Sequence, residues 1–220
     1  MTLVKHITRK PLRTALAGAF AVATPVLALA PALPVAAQQQ SQLDTAAKAL
    51  RAITTMKADF VQTDRQGQAI KGVMTLKNPG KIRFQYQEGV PLLVVSNGKS
   101  LTLVDYEVNQ VQRWPIKNSP LGALLDPSRD IAKFGKVVDS TSNALSIEVR
   151  DPKRPEFGVI TLIFIRNANA PGGWQLTNWV ALDSQNHRTT VRLTNHRYGV
   201  AVANSAFTYK DPRRSSRRPR

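Results

Sequence analysis

Three groupings in this sequence invite a catalytic reading, and each lacks a part that its chemistry needs. Gly98-Lys99-Ser100 matches the end of a phosphate-binding loop, in which backbone amides cradle a phosphate and the lysine neutralises it. That pattern also needs glycine at position 93, where Leu93 stands, and a helix after the loop instead of a hairpin. Asp183 and His187 have the residue types of a proton relay, but no Gly-x-Ser-x-Gly elbow presents a nucleophile to them. They fall in a turn-rich stretch and read as surface residues. His187 and His196 stand nine residues apart, without the His/Cys/carboxylate spacing of a metal site. The 14 acidic residues are scattered and suggest no acid–base pair. With no cysteine there is no disulfide, thiolate metal site or thiol nucleophile. The reading is of a protein that is not an enzyme and takes no cofactor or metal.

The elements that would carry any site explain the rest of the composition. The chain has 220 residues, 31 Lys+Arg and a net charge of +17, which at first suggests nucleic acid. The charge is unevenly placed. Lys5, Arg9, Lys10 and Arg13 precede an apolar run from Ala15 to Ala37 that ends in Val35-Ala36-Ala37. This is the pattern of a secretory signal peptide, residues 1–37, cut between Ala37 and Gln38. Pro25, Pro31 and Pro34 argue against a membrane-spanning helix there. The last ten residues, 211–220, hold five arginines and no apolar residue besides two prolines, and such a tail is expected to be disordered. The body, 38–210, keeps 22 basic and 13 acidic residues, net +9, without the interleaved arginines and aromatics of a nucleic-acid platform. Nucleic acid is therefore not an expected partner.

Within the body, Leu43, Ala46, Ala47, Leu50, Ile53 and Met56 recur at helical spacing and predict an amphipathic helix of about four turns. After it the period becomes two. Strands are predicted over 59–66, 69–77, 81–87, 91–96, 99–105, 109–115, 135–140, 144–150, 157–166, 173–183 and 188–198, with a further one near 205–209. About eleven strands joined by short connections read as an antiparallel sheet or barrel, mainly β with helices (α+β). Ile82, Phe84 and Tyr86 share one side of their strand, and Lys81, Arg83, Gln85 and Gln87 the other, which should face water. A two-residue turn at Asn97-Gly98 would set Val94 opposite Leu101 and Leu92 opposite Leu103, giving an inward aliphatic face of Leu92, Val94, Leu101 and Leu103. Ser119, as N-cap, and Pro120 open a short helix that carries Leu121, Leu124 and Leu125 on one side. A second short helix is expected from Ser128 to Phe134. The helices either fill the sheet completely or form a movable lid over an apolar cavity.

The residues then resemble a known family. Leu50-x-x-Ile53-x-x-Met56-x-Ala58-Asp59-Phe60-x-Gln62 is similar to the opening helix and first strand of LolA, the periplasmic outer-membrane lipoprotein carriers. Gly72-x-x-x-Leu76-x-x-Pro79-Gly80-Lys81-x-Arg83-Phe84-x-Tyr86 resembles the next hairpin, Leu93-Val-Val-Ser-Asn-Gly-Lys99 and Asn109-Gln110-Val111 follow in family order, and Ser119-Pro120-Leu-x-x-Leu124-Leu125 resembles the lid. The resemblance implies an incomplete antiparallel barrel closed by helices, a monomer, whose cavity holds the acyl chains of lipoproteins. It implies as partners an inner-membrane ABC transporter that releases the lipoprotein, and an outer-membrane receptor or the outer membrane itself as acceptor. Phe60, Ile82, Phe84, Tyr86, Leu92, Val94, Leu101 and Leu103 would line the cavity, with Leu121, Leu124 and Leu125 in the lid. Asn78 stands at the latch position, where the family commonly carries arginine; it lacks the charge and fork of that side chain, and Lys77 or Lys81 could substitute. A regulatory protein that senses lipid or lipoprotein in the periplasm on the same fold is the alternative, and would be expected to carry a second, partner-binding domain.

Overall fold

The structure, a computed structural model, describes residues 35–118 and 121–213, all within the compact unit Leu33–Arg220. The predicted leader up to residue 34, Ser119, Pro120 and the arginine tail from residue 214 lie outside the described residues. A helix, α1 (Val35–Ala52), opens the described chain, and the expected processing point at Ala37 falls inside its first turn. Eleven strands follow: β1 (Thr55–Thr63), β2 (Ala69–Lys77), β3 (Lys81–Tyr86), β4 (Leu92–Asn97), β5 (Ser100–Asp105) and β6 (Gln110–Pro115), then β7 (Gly135–Ser140), β8 (Ala144–Val149), β9 (Val159–Arg166), β10 (Trp174–Leu182) and β11 (Arg188–Tyr198). Between β6 and β7 lie two short helices, α2 (Gly122–Leu125) and α3 (Pro127–Phe134).

All eleven strands belong to one antiparallel sheet in the order β6-β5-β4-β3-β2-β1-β11-β10-β9-β8-β7. Its centre is the pairing of β1 with β11, so each wing is a meander of consecutive strands, β2–β6 on one side and β7–β11 on the other. The two edges, β6 and β7, do not pair with each other among the described residues, so the sheet is open between them. The expected fold class, mainly β with an N-terminal helix and short helices on an incomplete barrel-like sheet, is the one observed. Helix α1 packs on α3 and against β7, β8 and β10, burying the inner face of the β7–β11 wing.

Several boundaries differ from the expectation for identifiable reasons. The apolar stripe continues through Ile53 and Met56, but the helix ends at Ala52 and Met56 belongs to β1. Ile53-Thr54-Thr55 is a β-branched run unsuited to a helix, and the Asn78 side-chain amide takes the last carbonyls, donating to Leu50 O (2.9 Å) and Ile53 O (2.6 Å). The β4–β5 turn is centred on Gly98-Lys99, not Asn97-Gly98. Asn97 Oδ1 accepts from the Lys99 and Ser100 amides, and Gly98, at φ +96°, takes the first central position, where positive φ favours glycine. Val94 therefore pairs with Leu103, Ser96 with Leu101 and Leu92 with Asp105. The shift is two residues, so every side chain keeps its predicted face.

The segment near 205–209 is not a strand. Residues 200–209 form a strap across the outer face of the β3–β5 wing, with a 3-10 turn over Asn204–Phe207. Beneath it Leu93, Val95, Val104 and Phe207 form a second buried cluster, edged by Val111, Val202, Ala206 and Tyr209. The face predicted to meet water is thus partly covered: Lys81 and Arg83 are partly buried, whereas Gln85 and Gln87 are exposed.

Candidate functional site

The inner face is built from a row of aromatic rings spanning neighbouring strands. Phe60, Gly72 and Tyr86 are register partners across β1, β2 and β3. Glycine at the middle position leaves room for the two rings to meet edge to face, with centroids 5.3 Å apart. A Cβ on Gly72 would overlap the Phe60 ring and the Gln85 carbonyl. Phe84 joins the cluster at 5.4 Å from Phe60 and 5.9 Å from Trp179 of β10. Edge-to-face geometry of this kind is the favourable one for rings with opposed quadrupoles. Tyr86 Oη donates to Gln62 Oε1 at 3.0 Å, and burial pushes its phenol up to about 12.

The residues expected to line a cavity fall into two groups. Phe60, Ile82, Phe84, Tyr86 and Leu101 are buried in the main core, together with Leu124 and Leu125 of α2, the leucines expected in a lid. Leu92, Val94 and Leu103 of β4 and β5 are only partly buried, as are Leu121, Ile70 and Val90. The molecule's own helices thus fill the aromatic centre, and a strip of aliphatic side chains beside it remains partly open. Leu121 is the N-cap of α2.

Asn78, the expected latch position, sits across a cleft from α2. Its amide holds the end of α1, and it borders a cleft of about 390 Å³ whose other wall is Leu125, Asp126 and Pro127. A second cleft, of about 440 Å³, lies beyond Pro79 between the β4–β5 turn and the same Leu125–Asp126. Lys77 and Lys81 are both engaged on the outer face, where they tie the strap, Lys77 Nζ donating to Val202 O (2.8 Å) and Lys81 Nζ to Asn204 Oδ1 (3.0 Å).

Sequence reasoning missed the contribution of the other wing. Ile147, Leu162, Phe164, Leu176, Trp179, Val191 and Leu193 belong to the same buried core. Alternation in Ile160, Leu162 and Phe164 was a usable signal. Leu176 and Trp179 were hidden because a bulge between Leu176 and Asn178 sets inward residues three apart instead of two. The catalytic-looking groups have structural roles. Asp183 Oδ1 accepts the Gln185 and His187 amides in the β10–β11 turn, and these hydrogen bonds, the His187 amide foremost, lower its pKa. Gly98-Lys99-Ser100 is a hairpin turn. Among the described residues no group of three His, Asp or Glu could hold a metal ion.

The fold is an open antiparallel sheet with helices on its inner face and a partly open apolar strip. Residues 51–210 match the model for outer membrane lipoprotein carrier protein LolA, and the chain belongs to that family, whose members are carriers and not enzymes. An outer-membrane lipoprotein carrier protein of Methylobacillus flagellatus is 29% identical over 201 residues, covering 87% of this chain and 94% of its own. One from Coxiella burnetii is 23% identical over 161 residues, 70% of this chain and 73% of its own. Among solved structures, a LolA superfamily protein of Nitrosomonas europaea aligns with a TM-score of 0.47 at 9% identity, covering 78% of this chain and 97% of that one.

Proposed function

We propose that this chain is a periplasmic carrier that takes the acyl chains of lipoproteins against the inner face of the β2–β6 wing and moves them from inner to outer membrane. The observation that carries this reading is the partly open strip of Leu92, Val94 and Leu103 on the inner face of a sheet whose core also buries Leu124 and Leu125 of α2, the proposed lid. An acyl chain laid on the strip would extend toward Ile82 and Phe84 as the lid leucines withdraw. Burying a methylene is worth about 0.8 kcal/mol, so a 16-carbon chain gains on the order of 10 kcal/mol. Withdrawing the lid exposes its own leucines and lowers the net gain. Loading then needs a driven donor, for which an inner-membrane ABC transporter is suited, and unloading needs a stronger apolar acceptor, a receptor or the outer membrane. No step requires a catalytic side chain. The leader-like residues 1–37 support export to the periplasm.

The test is incubation of the purified chain with inner-membrane spheroplasts, following lipoprotein in the soluble fraction. Release that depends on the added chain is expected, with co-purified lipid detectable by mass spectrometry. Lipoprotein that stays with the membrane would overturn the carrier reading.

A further inference from the structure

The outer face holds a second recess that the carrier function leaves unused. It encloses about 720 Å³ between the strap and the strands β1–β3. Lys57, Thr75 and Arg83 are register partners across its floor, so two cations flank a buried threonine on neighbouring strands. Lys210, with the hydroxyls of Ser205 and Thr208, lines the opposite wall, and no carboxylate lines the recess among the described residues. The nearest acid on the floor strands is Asp59, which accepts a hydrogen bond from the Asn195 amide at 2.8 Å.

Arg83 is the informative member. Its Nη1 is committed to the strap carbonyls of Ala206 (3.2 Å) and Thr208 (3.0 Å). Its Nε and Nη2 both donate to a single neutral oxygen, Gln85 Oε1, at 3.2 and 2.6 Å. That edge of a guanidinium is the one that grips a carboxylate or phosphate through two parallel bonds. Here an exposed amide two residues along the same strand covers it. Gln85 can swing into water and surrender the edge to an anion without loosening the strap. Partial burial lowers the guanidinium pKa, opposed in part by the nearby Tyr106, and a bound anion would act in the same direction as Tyr106.

We infer that this recess binds the phosphate of an anionic lipid headgroup, gripped by the Nε–Nη2 edge of Arg83 and by Lys57. A headgroup fits better than free phosphate because the recess also presents Val73, Val202 and Ala206, and because the body carries a net +9. The inference rests on the carrier reading only for the source of the headgroup, the membrane that a carrier must visit.

The test follows backbone amide NMR shifts of the isotopically labelled chain as exported, arginine tail included. The titrants are nanodiscs of phosphatidylglycerol, nanodiscs of phosphatidylcholine, inorganic phosphate and chloride at matched ionic strength. Shifts at Val73, Thr75 and Arg83 are expected with phosphatidylglycerol, at lower phosphate concentration than with inorganic phosphate, and none with phosphatidylcholine or chloride. Lys57→Gln leaves the strap hydrogen bonds of Lys77, Lys81 and Arg83 in place and should weaken the response about fivefold, the contribution of one cation near an anionic surface. Shifts confined to the residues after Asp211, or unchanged by Lys57→Gln, overturn the site. An equal response to inorganic phosphate and phosphatidylglycerol overturns the headgroup as its source. Lipoprotein release by Lys57→Gln should stay at the wild-type level, so failure of the recess and failure of the carrier function remain distinguishable.

Discussion

Both wings of the sheet bury inner-face residues in the main core, but only one of them also seals its outer face. In the β7–β11 wing the inner face is packed under α1 and α3, while the outer face meets water and leaves Ile165 41% exposed. In the β3–β5 wing the outer face is sealed by the strap over Leu93, Val95 and Val104. Its inner face is left partly open at Leu92, Val94 and Leu103. A single-layer sheet must bury at least one face to offset the entropy of ordering it. The strap's added burial outside lets part of the inside, the strip of Leu92, Val94 and Leu103, stay partly open. The strap has the fastenings such a task needs: Lys77, Lys81 and Arg83 reach its backbone and side chains, and Arg113 Nη2 donates to Tyr209 Oη at 2.7 Å.

The largest effect on this contrast should come from Phe207→Ala. It removes the ring at the centre of the outer cluster, and buried Phe→Ala changes cost about 3–5 kcal/mol. Urea unfolding should show the loss, and native-state hydrogen exchange should place it. Amides of β4 and β5 should lose protection while those of β9 and β10 keep it. Equal loss in both wings would mean that the strap stabilises the whole sheet and the two wings are not separate in this respect. Gly72→Ala comes next. The added methyl must displace the Phe60 ring or the Gln85 carbonyl, an overpacking cost of about 1–3 kcal/mol. Its effect should centre on the joint between the wings, with altered near-ultraviolet circular dichroism from Phe60 and Tyr86. Asn78→Ala should cost about 1–2 kcal/mol by removing two hydrogen bonds to the end of α1. Exchange protection should fall at the C-terminus of α1, where its hydrogen bonds lie, and not in α2.

How much of this contrast was legible depends on period. Ile82, Phe84 and Tyr86 alternate strictly with polar neighbours, and their face was readable directly. The hairpin Leu92–Asp105 kept its faces despite a register error of two, because parity and not pairing decides the side. The outer cluster was harder. Leu92-Leu93-Val94-Val95 is an unbroken apolar run, which signals burial on both faces, but nothing local says what covers the second one. The cover comes from Phe207, more than a hundred residues later in an aperiodic stretch. Asn78 was recognised by its position beside Pro79, yet its partners, the carbonyls of Leu50 in α1 and Ile53 just after it, are set only by the tertiary fold.

The smallest stability effect should separate the faces most sharply. Leu103→Glu places a charge on the partly open inner strip, where the carboxylate can reach water, so unfolding free energy should fall by less than about 1 kcal/mol. Ile165→Glu makes the same change on the exposed outer face of the other wing and should be similarly mild. Their consequences for cargo should differ. An acyl chain laid along the strip would have to desolvate the new carboxylate, a penalty of several kcal/mol, whereas nothing is proposed to bind over Ile165. Spheroplast release should therefore fail with Leu103→Glu and proceed with Ile165→Glu, both proteins remaining folded by circular dichroism. If both release lipoprotein equally well, the open strip is not where cargo lies, and the partial exposure of Leu92, Val94 and Leu103 would need another cause.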